Sequence, residues 1–495
     1  MPFEFIDNSV TIDRATRKRI RTRAATGKNA NRTLARPSKV TALKTNAAVP
    51  FLAPASLQVI RGAVDDSIED DEGGIQIGIQ APVGDGISVP VYVPVKSRSL
   101  VREALFFFCG VRHIQELDGA LESPDVTSTI WVRYFFVDEA YFHCSLATSI
   151  LCSKNLLHET AQGMYHIART YRLVQQRLMS SEATSDMTIS VLVIMSQYER
   201  LQGQYERGYI HMQGLRRMID LRGGIVQLSR ECTGVIQKVL RADLEYALQL
   251  GQKTLFGLEA IEVLHDWGHL RSTDVRDGGG GEVDWFLQKN IRDDLWLLYD
   301  EMRRASKILN DANAGRSRKL DAVEFHNMLL LFGHRLLEIS PLGDSSVSQL
   351  SHEVGMNVLE KAVHLSLIAF LVTFLTGLDH RIPDKPLLSQ GLRLAVQSLA
   401  ASVRAGQVSR PLQSVLLWTF YIGSVVEFKP SDDEWLIPTT TSTMQALDIS
   451  TWEDVKELLT MFPWVNAVHD RAGTALSSTQ KMLDFNLSIH FDQFL

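Results

Sequence analysis

Five of the seven residues from position 17 to position 23 are cations: Arg17, Lys18, Arg19, Arg21 and Arg23. Charge at that density binds phosphate by releasing the counterions around a nucleic acid, and it is also the signal that nuclear import receptors capture. No aromatic side chain stands between the cations to stack on a base. As a helix the segment would carry charge all round, so it does not read as a membrane-surface helix. Nuclear import is the first reading of the cluster, followed by contact with DNA or RNA and by a plain solvated tail.

Other residues with chemistry-bearing spacing lead to bland readings. His265 and His269 stand at i and i+4, the spacing of zinc helices, but Asp266 occupies the position where a metalloprotease helix carries glutamate, and no third ligand is evident. Gly278 to Gly281 is followed by Glu282 and Asp284 rather than by the Lys and Ser/Thr of a phosphate-binding loop, and it reads as a flexible linker. No Gly-x-Ser-x-Gly elbow occurs. The four cysteines, 109, 144, 152 and 232, have apolar neighbours and form no Cys-x-x-Cys pair, so they read as small buried residues. The expectation is a protein that is not an enzyme, with no catalytic residue, no metal and no cofactor.

The elements around these residues divide the chain. A length of 495 residues allows about three domains. The net charge of −6 is unevenly spread. Residues 1–95 hold 12 basic and 10 acidic residues in separate blocks, 11 of the basic ones between Thr11 and Thr45, and six acids between Asp65 and Glu72. Like-charged blocks repel themselves and resist collapse. Seven of 15 prolines fall in this part, and all eight tryptophans lie at 131 or beyond. We therefore expect a disordered basic and acidic arm over 1–95, a packed body over 96–475 and a tail over 476–495. The alternation of Ile75, Ile77 and Ile79 and of Ile87, Val89, Val91, Val93 and Val95 suggests a short hairpin within 75–95. The opening Met1 to Asn8 has no basic stretch followed by an apolar one, and with few cysteines this predicts an intracellular protein.

The body reads as an all-α bundle. Tyr205, Tyr209, Met212, Leu215 and Ile219 share one helical face, and Gly223-Gly224 ends that helix. Val235, Ile236, Val239, Leu240, Leu244 and Leu248 mark the next, and Ile291, Leu295, Leu298, Met302, Ala305 and Leu309 another. Ser450 and Glu453 have the spacing of a capping box before Val455. Ala362 to Leu378 and Leu412 to Phe428 are apolar over 17 residues each, at the bottom of the range for a membrane span, and contain His364, Gln413 and Glu427. Burial in a large bundle is the preferred reading, with no membrane partner.

The stretch from Tyr198 to Phe256 resembles the fungal-specific transcription factor domain. The matching positions are Gly203, His211, Gly214, Leu215, Met218, Arg222, Gly223, Gly224, Ile225 and Leu228, then Asp243 and Ala247. Leu416-Leu417-Trp418 with Gly423, Trp452 to Val455, and Phe462-Pro463-Trp464 with His469-Asp470 are similar to the end of the same domain. The resemblance implies a multi-helix regulatory domain and a nuclear transcriptional regulator. Implied partners are the transcription machinery or another regulator, a nuclear import receptor, nonspecific DNA through the basic arm, and a second copy of the chain. It implies no catalytic residues, and His211 and Arg222 read as scaffold. One departure matters: regulators of this kind carry six N-terminal cysteines on two zinc ions, and this chain has no cysteine before Cys109. Regulation through partners, nonspecific DNA contact, or an upstream exon encoding the cluster are the three ways to read that. The alternative function is a cytosolic ligand-binding or enzymatic helical protein.

Overall fold

The computed structural model describes residues 100–104, 115–122, 133–152, 156–262, 281–345, 356–375, 385–405, 409–426, 428 and 432–478. The basic cluster at 17–23, the acidic block, the 75–95 stretch, Cys109, the His265/His269 pair and the tail beyond 478 lie outside the described residues.

The expected all-α architecture is what the described residues adopt, with one isolated parallel bridge between Leu121 and Leu320 as the only β contact among them. The principal helices are α1 (Glu139–Cys152), α2 (Leu156–Leu178), α3 (Asp186–Leu201), α4 (Tyr205–Leu221), α5 (Ile225–Glu231), α6 (Thr233–Leu250), α7 (Glu282–Asn290), α8 (Asp293–Asn313), α9 (Ala322–Ile339), α10 (Val358–Val372), α11 (Pro386–Ala405), α12 (Arg410–Val426), α13 (Asp433–Ala446) and α14 (Trp452–Leu459). A last helix, α15, covers 466–478 and so runs past position 475. Helix α1 packs on α2 and α3, α3 on α4 and α6, α6 on α9, and α10 on α8, α9, α11 and α12. One continuous apolar core runs through all of them.

The local chemistry explains the boundaries. Met212, Leu215 and Ile219 of α4 are fully buried, while Gln213, Arg216, Arg217 and Asp220 are exposed, as the spacing predicts. The helix ends in a Schellman arrangement: Gly224 N–H bonds Ile219 O at 2.9 Å and Gly223 N–H bonds Asp220 O at 3.2 Å. Both glycines have positive φ, 110° and 89°, which a side chain would resist. Gly281 caps α7, and Glu282 and Asp284 occupy its first turn, where carboxylates favour the helix dipole.

Two boundary expectations need correction. The capping box near 450 is formed by Thr451 and Asp454, one residue later than the Ser450/Glu453 spacing suggests, because Thr451 is the residue with extended backbone at the helix start. Ile291 belongs to the end of α7, and α8 begins at Asp293, although all six residues of that periodic run are buried.

The two apolar segments form cores of the bundle. Residues 362–372 of α10 are all buried, and His364 Nε2 bonds Leu336 O on α9 at 2.8 Å. Helix α12 is buried at Pro411 and from Gln413 to Gly423. Among the described residues no helix is long and apolar enough to cross a membrane.

Candidate functional site

The motif from Gly203 to Leu228 lies where α3, α4, α5 and α6 meet. Its residues are placed by packing. A Cβ at Gly208 would stand 1.7 Å from the Tyr246 hydroxyl, which donates to Ser196 O at 2.5 Å, so glycine lets α4 approach α3 and α6. Gly203 and Gly214, by contrast, have nothing within 4 Å of the place a Cβ would take. Gly203 turns the chain at a φ of 71°, and Gly214 lies on the solvent side of α4. Arg222 donates to Asp186 at 2.5 Å, to Glu231 at 2.5 and 2.9 Å and to Thr184 O at 3.2 Å, tying the start of α3 to the end of α5.

A buried polar layer lines the inner side of this motif. Tyr171 of α2 donates to Glu199 of α3 at 2.5 Å, and burial raises the Glu199 carboxyl despite that bond and the nearby Arg207. The His211 ring lies 6.3 Å from the Tyr171 ring, and burial lowers its pKa to about 4. Arg200, 1% exposed, pairs with Glu245 and with Gln197, each at 2.7 Å, and Arg241 holds the other Glu245 oxygen at 2.8 Å. At the edge of the layer, His143 of α1 faces His166 of α2, their Nδ1 atoms 2.7 Å apart. Burial lowers them to about 4 and about 3.

The second half of the resemblance is also scaffold. Asp243 is buried and accepts Leu255 N–H at 2.8 Å and Phe256 N–H at 2.9 Å, fixing the chain as it leaves α6. His469 Nδ1 accepts Val465 N–H at 2.9 Å, and its Nε2 lies 3.0 Å from Thr373 Oγ1. Trp418 donates to Pro463 O at 3.2 Å and stacks on Phe462, and Trp464 donates to Asp470 at 2.9 Å.

This arrangement can hold protons and rigidify a core. It presents no activated nucleophile: burial, then Glu199, raises the Cys144 thiol. Among the described residues no group of three or more His, Cys, Asp or Glu could hold a metal ion. Of the residues singled out from sequence, Arg222, Asp243 and His469 are thus placed in hydrogen-bonded structural roles and His211 is buried beside the Tyr171 ring, while the 17–23 cations lie outside the described residues. The sequence reading missed Glu199, Tyr171, His143 and His166. Their only sequence signal is a polar residue on the apolar face of a helix.

No family model, curated protein or solved structure matches the chain. The resemblance to the fungal-specific transcription factor domain therefore rests on the residues quoted for it.

Proposed function

We propose that the chain is a nuclear transcriptional regulator of fungal type. Its helical body acts through the transcription machinery or another regulator, and its basic segment serves import. The motif from Gly203 to Leu228, joined to the five cations at 17–23 on one chain, is the observation that carries this reading. The burial of His211, the Arg222 ion pairs and the glycine turn at 223–224 support it, since a regulatory scaffold asks of these positions rigidity rather than catalysis. Any DNA contact of the arm is nonspecific in this reading, because the chain has no cysteine before Cys109 to build the zinc cluster that places a helix in the major groove.

The test replaces Arg17, Lys18, Arg19, Arg21 and Arg23 with alanine in a tagged full chain. The wild type should accumulate in the nucleus and the variant in the cytoplasm, and deleting the gene should change transcript levels. A wild type that stays cytoplasmic, with an unchanged transcriptome on deletion, refutes the proposal. The alternative, a cytosolic ligand-binding or enzymatic helical protein, draws on the convergence of Glu199, Tyr171 and His211 in the buried layer. A small molecule that raises the melting temperature of wild type but not of Glu199→Gln would favour it.

A further inference from the structure

The histidine pair between α1 and α2 allows a protonation state to be assigned from distances alone. The ring centres of His143 and His166 are 5.0 Å apart and the Nδ1 atoms 2.7 Å apart. The remaining 2.3 Å is the two ring radii, so both nitrogens lie on the line joining the ring centres. Two bare lone pairs at that separation would repel and two N–H groups would clash, so one proton sits between them.

The surroundings decide which ring donates. His143 Nε2 lies 3.8 Å from Glu139 Oε1, so its proton faces a carboxylate and its Nδ1 is left to accept. His166 Nδ1–H is then the donor, and His166 Nε2, buried with no hydrogen-bond partner, carries a lone pair only. An unsatisfied buried acceptor is the less costly of the two outcomes. Arg169 of α2 holds Glu139 Oε1 at 2.7 and 2.9 Å and completes a chain of Arg169, Glu139, His143 and His166 across the two helices.

We propose that this shared proton is a clasp fastening α1 to α2, and that entry of a second proton releases it. A second proton on His143 Nδ1 removes the acceptor of the inter-ring hydrogen bond, and one on His166 Nε2 makes a buried, charged N–H with no acceptor, so the closed pair accommodates neither. The titratable and charged groups facing the pair are Glu139 on α1 and Tyr165 and Arg169 on α2. Helix α3, also packed on α1, directs Glu199 to Tyr171 instead. Arg169 adds positive charge against the second proton, and Glu139, already paired with it, offers little compensation.

Hydrogen exchange on the full chain at constant ionic strength tests the clasp. Once opened, each ring titrates near its ordinary 6.5. After correction for intrinsic exchange, the opening equilibrium of α1 and α2 amides that exchange by local opening should therefore rise about 100-fold between pH 7.5 and 5.5, about tenfold for each ring. In the double variant His143→Gln/His166→Gln the rise should shrink to a few-fold at most. The same rise in wild type and variant overturns the proposal. Should the variant fail to fold, imidazole nitrogen NMR of the wild type at pH 7.5 decides. The expected pattern is a protonated Nδ1 on His166 and a protonated Nε2 on His143, and protonated Nε2 on both rings overturns it.

Discussion

Gly208 and Gly214 stand six residues apart on α4, and alanine at these two positions should change stability in opposite directions. At 208 the new methyl would lie 1.7 Å from Tyr246 Oη, 2.7 Å from its Cζ and 3.0 Å from Ser196 O. Tyr246 is fully buried and cannot swing into solvent, so it must retreat and give up its bond to Ser196 O. Losing a buried hydrogen bond costs about 1–3 kcal/mol, and forcing an extra methyl into a packed core costs about 1–3 kcal/mol. The helix preference for alanine over glycine returns about 0.5–1 kcal/mol, so Gly208→Ala should destabilise by roughly 3 kcal/mol. Gly214→Ala meets nothing within 4 Å, lies on the exposed side and keeps only the helical gain, about 0.5–1 kcal/mol of stabilisation. Urea denaturation followed by far-ultraviolet circular dichroism on both variants and wild type is the assay. In a Tyr246→Phe background the Gly208→Ala cost should shrink, because the nearest atom is then absent while the ring carbon remains. Equal shifts of the two variants in the same direction, or no coupling to Tyr246, would refute the close-approach argument.

Three further expectations follow from buried charge and capping. His211, His364 and His469 are lowered by burial to about 4, 4 and 3, so below pH 6.5 the unfolded chain binds protons that the folded chain refuses. Their contribution is fully present above that pH and should fall by about 1.4 kcal/mol per histidine at pH 5.5. Glu199, raised by burial, works in the opposite sense, and a urea midpoint no lower at pH 5.5 than at 7.5 contradicts the histidine account. Glu245→Leu should cost about 3–5 kcal/mol by removing the carboxylate paired with the buried Arg200 guanidinium, with Arg200→Met/Glu245→Leu recovering most of it in the same denaturation assay. Thr451→Ala should lower stability by about 1 kcal/mol through loss of the α14 cap, whereas Ser450→Ala should lower it by less.

How much of this was legible in the sequence depends on whether the physics is local. The inner face of α4 and the end of that helix could be read directly, since a 3.6-residue period and two consecutive glycines are properties of neighbouring positions. The cap before α14 was legible to within one residue, because Ser450 and Thr451 are both hydroxyl residues with an acid three positions on, and the backbone alone decides which one starts the helix. Helix α1 was harder: it is buried almost all round, from Ala140 to Ile150, so its apolar residues trace no stripe. The polar layer was not legible. Its pairs join positions 23, 28 and 45 residues apart, His143 with His166, Tyr171 with Glu199 and Arg200 with Glu245. Nothing in the spacing says that α1, α2, α3 and α6 bring them together. Yet each of these residues interrupts an apolar face, and a buried polar group without a partner is costly enough that a partner on another helix must exist. In a chain of this kind, polar residues interrupting apolar helical faces are therefore the positions from which a search for tertiary contacts should start.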